Sequence, residues 1–143
     1  DIMKESFAKR ILSQALLISK FFRSHVANSA LENEIRINNI AGGGIKRYVA
    51  TRWSSYYDMI YSILRLRVVF ILEHNPEIIS NDKVYLILNR GAFYNDLLFI
   101  TTILRPIKES IIQLKSRDST LADCYVHLIK LATMIYRIPQ DQH

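Results

Sequence analysis

One short stretch of the sequence combines residue types that bind nucleic acids. Three consecutive glycines at 42–44 precede the cations Lys46 and Arg47, and the stretch ends in Arg52 and Trp53, the only tryptophan of the chain. Cations neutralise phosphates, and an indole ring stacks on an unpaired base with a gain of about 1–3 kcal/mol per base. These four charged and aromatic residues are therefore candidates for a nucleic-acid-binding site.

A purely structural interpretation of the same stretch competes with this prediction. The glycines would form a flexible loop, and Trp53 would be a core side chain, as a single tryptophan often is. The glycine spacing matches neither the phosphate-binding Gly-Lys-Ser/Thr loop nor the dinucleotide-binding pattern. Tyr48, beside the two cations, is a further candidate contact for a nucleic acid.

No other residues show a catalytic or metal-binding pattern. Cys124 and His127 are three residues apart and would share a helix face, but a metal ion needs further ligands and none lies nearby in the sequence. The carboxylates lack the paired spacing of metal-dependent phosphoryl transfer, and no Ser/His or Cys/His pair indicates a nucleophile. We expect no catalytic residue, no metal ligand and no cofactor in this chain.

Composition and charge narrow the classes of protein and partner. The 143 residues suit a single α-helical domain over 1–143, and the net charge of +6 favours phosphate polymers or anionic lipid surfaces as partners. The single cysteine excludes an internal disulfide and fits a reducing compartment. No signal-peptide pattern is present, and charges interrupt the apolar runs, so we expect no membrane partner.

Helical periodicity extends along almost the whole sequence and predicts an all-α fold, an irregular helical bundle of five to six helices. Thr51 is a natural N-cap for the helix that carries Trp53, and Asn28 or Ser29 is one for the second helix. Pro106 should kink the long fifth helix. The helices are expected at about 2–25, 30–37, 52–74, 81–89, 92–115 and 120–137.

The segment around Trp53 also resembles a known family motif. Thr51-Arg52-Trp53-Ser54-Ser55, with Tyr57-Asp58-Met59 and Arg65-Leu66-Arg67 after it, resembles the Thr-Arg-Trp segment of hAT-family DNA transposases. In that family the motif opens a long helix of the α-helical domain inserted into an RNase H-like catalytic core. Further likenesses follow the family's order at 1–4, 21–25, 104–108 and 119–120.

The resemblance implies that the chain is an excerpt of a nuclear cut-and-paste transposase, or of a domesticated relative. Its role would be to bind and shape transposon-end DNA, with Arg52 and Trp53 near the active site and the tryptophan stabilising a flipped base. The catalytic acids, with magnesium or manganese, would lie before Asp1 and after His143, so the chain alone would be inert.

The partners implied are DNA and the remainder of the RNase H-like core, and self-association into a homo-oligomer is left open. The alternative is a domesticated, transposon-derived helical protein-interaction module with no DNA chemistry. In that case Trp53 would be a core residue, and the apolar third or fifth helix would face a partner protein.

Overall fold

The computed structural model describes residues 2–72 and 79–137, except for the side chains of residues 2–6, 53, 71 and 72. All regular structure in these ranges is helical, which confirms the predicted all-α fold. The seven described helices are α1 Ile2–Phe21, α2 His25–Ile37, α3 Trp53–Arg65, α4 Arg67–Leu72, α5 Asp82–Leu88, α6 Gly91–Leu114 and α7 Leu121–Tyr136.

One helix more than expected is present because the predicted third helix is interrupted at Leu66. The backbone amide of Leu66 donates to the carbonyl oxygens of Leu64 and Ser62, which closes α3, and α4 begins at the next residue. Sequence periodicity continues smoothly through this position and gives no sign of the break. The predicted end of the helix near His74 lies outside the described residues.

The boundary between the first two helices lies earlier than predicted. Ser24, rather than Asn28 or Ser29, caps α2, because its hydroxyl accepts a hydrogen bond from the amide of Ala27 at 3.4 Å. The earlier start adds the buried Ala27 to the apolar face that Leu31 continues. Asn28 lies inside the helix, where its amide group donates to Glu32 at 2.8 Å.

The starts of α5 and α7, predicted at about residues 81 and 120, lie at Asp82 and Leu121. The side chain of Asn81 accepts hydrogen bonds from the amides of Lys83 and Val84 and so caps α5. Thr120 caps α7 in a reciprocal capping box with Asp123. Pro106 lies within α6, which continues past it to Leu114, and the predicted kink stays a prediction.

The chain divides into two compact units, residues 1–98 and 99–143, and the predicted single domain stays a prediction. In the first unit, α1 packs on α3 and α5, while α4 contacts α2, α3 and α5. The core of this unit includes the fully buried side chains of Ile11, Ile18, Met59, Ile60, Ile63, Val84 and Leu97.

The second unit contains the C-terminal two thirds of α6 together with α7. No residue of α7 is buried, although the helix is rich in leucine, isoleucine and tyrosine. Of the described helices in either unit, none is long and apolar enough to cross a membrane.

Candidate nucleic-acid interface

Residues 41–49, referred to below as the strap, have no regular secondary structure and lie along helix α3. The amides of Lys46 and Val49 donate hydrogen bonds to Ser62 Oγ at 2.9 Å and Ser55 Oγ at 2.8 Å. Because the earlier strap residue pairs with the later helix residue, the strap runs antiparallel to α3. Its final residues therefore lead directly to the start of the same helix.

The two serines that hold the strap are buried, with 8% of Ser55 and 2% of Ser62 exposed. Their hydroxyls also donate, from Ser55 to the Arg52 carbonyl at 2.6 Å and from Ser62 to the Met59 carbonyl at 2.7 Å. Each hydroxyl thus accepts one hydrogen bond and donates another, as buried polar groups require. Sequence reasoning missed both residues, although their seven-residue spacing places them on one helix face.

Arg65 holds the beginning of the strap. It lies on the same face of α3 as Ser62, and its guanidinium group donates to the carbonyl oxygens of Ala41 and Gly43. Gly42 lies between these two carbonyls with φ of +95°, and a Cβ added there would lie 3.0 Å from Arg65 Cζ. The glycine loop predicted to be flexible is therefore held by Arg65, a residue that the sequence resemblance includes only within the segment Arg65-Leu66-Arg67.

Tyr48 is half-buried and packs edge-to-face against Tyr56, with ring centroids 6.3 Å apart. Burial, with a smaller effect from Tyr48, raises the pKa of Tyr56 to about 12, so this hydroxyl stays protonated at neutral pH. The predicted contact of Tyr48 with nucleic acid stays a prediction. Its described contact anchors the strap to the first turn of α3.

Three of the four predicted site residues are exposed cations on the strap or directly after it. Lys46 and Arg47 project from the strap, and Arg52 immediately precedes α3. The amide of Arg52 donates to the carbonyl of Val49 at 2.9 Å, and this bond joins the end of the strap to the helix start. No carboxylate among the described residues forms an ion pair with these three cations.

Trp53, the fourth predicted residue, is the first residue of α3, but its side chain lies outside the described part of the chain. Its proposed stacking on a base stays a prediction. The prediction that Thr51 caps this helix is wrong: Arg52 occupies the cap position with φ of −126° and ψ of 92°, and makes no side-chain cap bond. The turn from Val49 to Arg52 leaves Thr51 one residue too early.

Arg67, two residues after Arg65, makes a separate contact. Arg67 Cζ lies 5.0 Å from the centroid of the Tyr94 ring, a cation–π arrangement. Burial raises the pKa of Tyr94, and the nearby Arg67 charge opposes that effect. Arg65 and Arg67 therefore serve different internal contacts.

The second unit contains an open apolar groove of about 400 Å³. It lies between α6 and the C-terminal part of α7, and its lining includes Phe99, Ile103, Pro106, Leu131, Met134 and Ile135. Cys124 and His127 are half-buried on α7. Within residues 2–72 and 79–137, no group of three or more His, Cys, Asp or Glu side chains is placed to hold a metal ion.

Comparison of the chain with known protein families, with curated proteins and with solved structures finds no match. Lys46, Arg47 and Arg52 supply positive charge from a backbone that is already ordered, and exposed cations of this kind bind phosphate groups. The arrangement suits the binding of phosphate groups.

Proposed function

We propose that this chain is the helical insertion region of a hAT-like cut-and-paste DNA transposase and that it binds and shapes transposon-end DNA. The observation that carries the proposal is the strap, which is fixed along α3 and exposes Lys46 and Arg47 a few residues before the exposed Arg52. The Thr-Arg-Trp resemblance covers the residues that follow the strap.

An ordered cationic segment is well suited to a polyanion. A flexible loop loses conformational entropy when it binds, whereas a segment already held by Arg65, Ser62 and Ser55 loses less. Arg47 and Arg52 can each form two parallel hydrogen bonds to a phosphate group. A chain with a net charge of +6 is also attracted to DNA over longer distances.

The proposed contribution of this chain is DNA binding, and the catalysis would belong to the parent protein. The three catalytic carboxylates of that parent, with magnesium or manganese, would lie on the RNase H-like core. Arg52 and Trp53 would lie close to that active site, where the indole ring stacks on a flipped base. We further propose that the parent acts in the nucleus.

Salt-dependent binding to a labelled DNA duplex and a labelled DNA hairpin tests the proposal. A triple variant, K46A/R47A/R52A, removes the three exposed cations of the site. Its matched control, K115A/R117A/R137A, removes one lysine and two arginines that are exposed in the second unit. Both variants lower the net charge by the same amount. Any difference between their DNA affinities therefore depends on where the removed cations lie.

The site variant should bind DNA more weakly than the control and show a shallower salt dependence. Each lost phosphate contact reduces the magnitude of the slope of log K against log salt by about 0.9. The loss of three contacts should therefore reduce that slope by about 2–3. Equal losses in the two variants would indicate attraction by net charge alone and would contradict a specific site. Failure of the unmodified chain to bind DNA would refute the proposed function.

A second candidate function, a helical protein-interaction module, is favoured by α7. This helix exposes Leu121, Tyr125, Leu128 and Tyr136. Leu121, Tyr125 and Leu128 recur at spacings of four and three residues, which is the pattern of a helix that packs against another helix. Uncovered apolar surface of this kind is typical of interaction sites. Measurement of the chain's molecular mass in solution tests it first, as set out in the Discussion.

A further inference from the structure

The strap consists of two parts whose backbones form hydrogen bonds with different side chains of α3. The part from Lys46 onward is held by amide bonds to the two buried serines, Ser62 and Ser55. Residues 41–45 have no such bonds, and among the described residues only the guanidinium group of Arg65 forms hydrogen bonds with them. The order of the glycine-containing part therefore depends on one side chain.

The shape of the guanidinium group suits this task. Its nitrogen atoms lie in one plane at fixed spacing, so Nη1 reaches the carbonyl of Ala41 while Nη2 reaches that of Gly43. A lysine ammonium is a single point donor on a flexible stem and does not reproduce this paired geometry. Gly42 allows the approach, because a side chain at this position would press on the guanidinium carbon.

The same contacts direct both terminal nitrogens of the guanidinium group at backbone carbonyls and use two of its five N–H donors. Arg65 Nη1 and Nη2 each donate to a backbone carbonyl, so this arginine already has partners in the free protein. Lys46 and Arg47, by contrast, are exposed. The two kinds of cation therefore have different roles: the exposed pair is free to bind, and Arg65 holds the glycine segment that precedes this pair.

We infer that Arg65 is a positioning residue, which orders residues 41–45 before a nucleic acid binds and does not itself contact phosphate. This inference rests on the proposed function of the strap. Without Arg65, the three consecutive glycines would be mobile in the free protein. They would then lose conformational entropy when the nucleic acid binds, and this loss would oppose binding. Loss of Arg65 should therefore lower affinity without removing a phosphate contact.

Two variants of Arg65 separate position from charge. Arg65→Met keeps an unbranched, flexible side chain but removes both the charge and the paired guanidinium donors. Arg65→Lys keeps the charge and removes only the paired donors. Arg67→Met is the matched control, because it removes a nearby arginine whose described contact is with Tyr94 instead of the strap. Circular dichroism and thermal melting of each variant establish that it is folded.

Nuclear magnetic resonance order parameters of the amides at 42–44 provide a readout that needs no DNA. These should be about 0.85, as in a rigid backbone, in the unmodified chain and in Arg67→Met, and should fall below about 0.6 in both Arg65 variants. Equal order parameters in all four proteins would overturn the inference. Local order is the appropriate measurement, because a general loss of stability would not be confined to these three amides.

DNA binding at several salt concentrations provides the second readout. Both Arg65 variants should bind about 3–10-fold more weakly with an unchanged salt slope, since each missing phosphate contact would lower that slope by about 0.9. A shallower slope for Arg65→Met, with affinity restored in Arg65→Lys, would show that Arg65 contacts phosphate and would overturn the inference. If the unmodified chain binds no DNA, the proposed function and the DNA part of this inference are both refuted, while the order parameters still decide whether Arg65 orders the strap.

Discussion

Gly42 shows most clearly how a single residue determines the geometry of the candidate site. Its φ of +95° is one that side-chain-bearing residues rarely adopt, and its α-carbon faces the guanidinium group of Arg65. Gly44, two positions later, has no such φ, and a Cβ added there would have no neighbouring heavy atom within 4 Å. The two glycines therefore differ in their tolerance of a side chain, although the sequence alone makes them look equivalent.

Gly42→Ala should lower the free energy of unfolding by about 1–3 kcal/mol, because alanine is strained at this φ. The matched variant Gly44→Ala should change it by less than about 1 kcal/mol, since alanine fits there and restricts the unfolded chain. Urea denaturation of both variants measures the difference. Equal effects at the two positions would show that the Gly42 conformation is not required.

The residues of the candidate site differ in how far the sequence predicts them. Lys46, Arg47 and Arg52 are visible as charges beside glycines and are exposed as expected. Ser62 and Arg65 act through pairing with residues 16 and 22–24 positions away. Local periodicity contains no information about pairing between residues so far apart. The cations could therefore be predicted from the sequence, but the residues that hold the strap could not.

At the scale of helices, the starts of the later helices were predicted more closely than those of the earlier ones. Helices α5 and α7 begin at Asp82 and Leu121, close to the predicted residues 81 and 120, and the side-chain oxygens of Asn81 and Thr120 accept hydrogen bonds from their first-turn amides. The break at Leu66 was missed because the apolar pattern continues across it. The boundary at Ser24 was missed because burial of Ala27 favours an earlier start than the polar residues Asn28 and Ser29 suggested.

The capping box of α7 leads to a prediction about pH. Hydrogen bonds from the side chain and backbone of Thr120 lower the pKa of Asp123 below its usual value. A lowered carboxyl pKa stabilises the folded state above the unfolded pKa of about 3.9, and that contribution is lost as the pH falls through the folded value. The start of α7 should therefore loosen below about pH 4, the unfolded pKa of aspartate.

Thr120→Ala should destabilise α7 by about 1 kcal/mol at neutral pH, the usual effect of losing a threonine N-cap. Asp123→Asn should remove the loosening below the carboxyl pKa while leaving the Thr120 hydroxyl in place. Amide hydrogen exchange in the first turn of α7, measured at neutral and acidic pH, tests both variants. An unchanged acid response in Asp123→Asn would assign that response to another carboxyl group.

At the scale of the whole molecule, the two units differ in how well they cover their apolar residues. The first unit buries residues from every one of α1 to α5, whereas α7 in the second unit leaves Leu121 86%, Tyr125 68% and Tyr136 88% exposed. A sequence pattern can indicate that a helix is apolar, but it does not indicate what covers that helix. Met59 and Ile63 of the apolar helix α3 are fully buried, whereas no residue of α7 is buried.

We predict that a second copy of the chain covers this face of α7. The exposed face formed by Leu121, Tyr125, Leu128, Ile135 and Tyr136 carries no charge, so pairing two copies requires no charged group to leave water. Tyr125 and Tyr136 alone would contribute on the order of 300 Å², since an aromatic side chain buries about 150–250 Å². The other exposed apolar side chains bring the face close to the roughly 800 Å² per partner of a standard interface.

Sedimentation velocity over a range of protein concentrations tests this prediction. The unmodified chain should shift from one to two copies as its concentration rises, and Tyr125→Gln/Leu128→Gln should remain a single copy. The control Val26→Gln/Leu86→Gln replaces two exposed apolar residues of the first unit and should associate like the unmodified chain. A chain that is monomeric at every concentration would contradict pairing through α7, and association that persists in the α7 variant would place the contact on another surface.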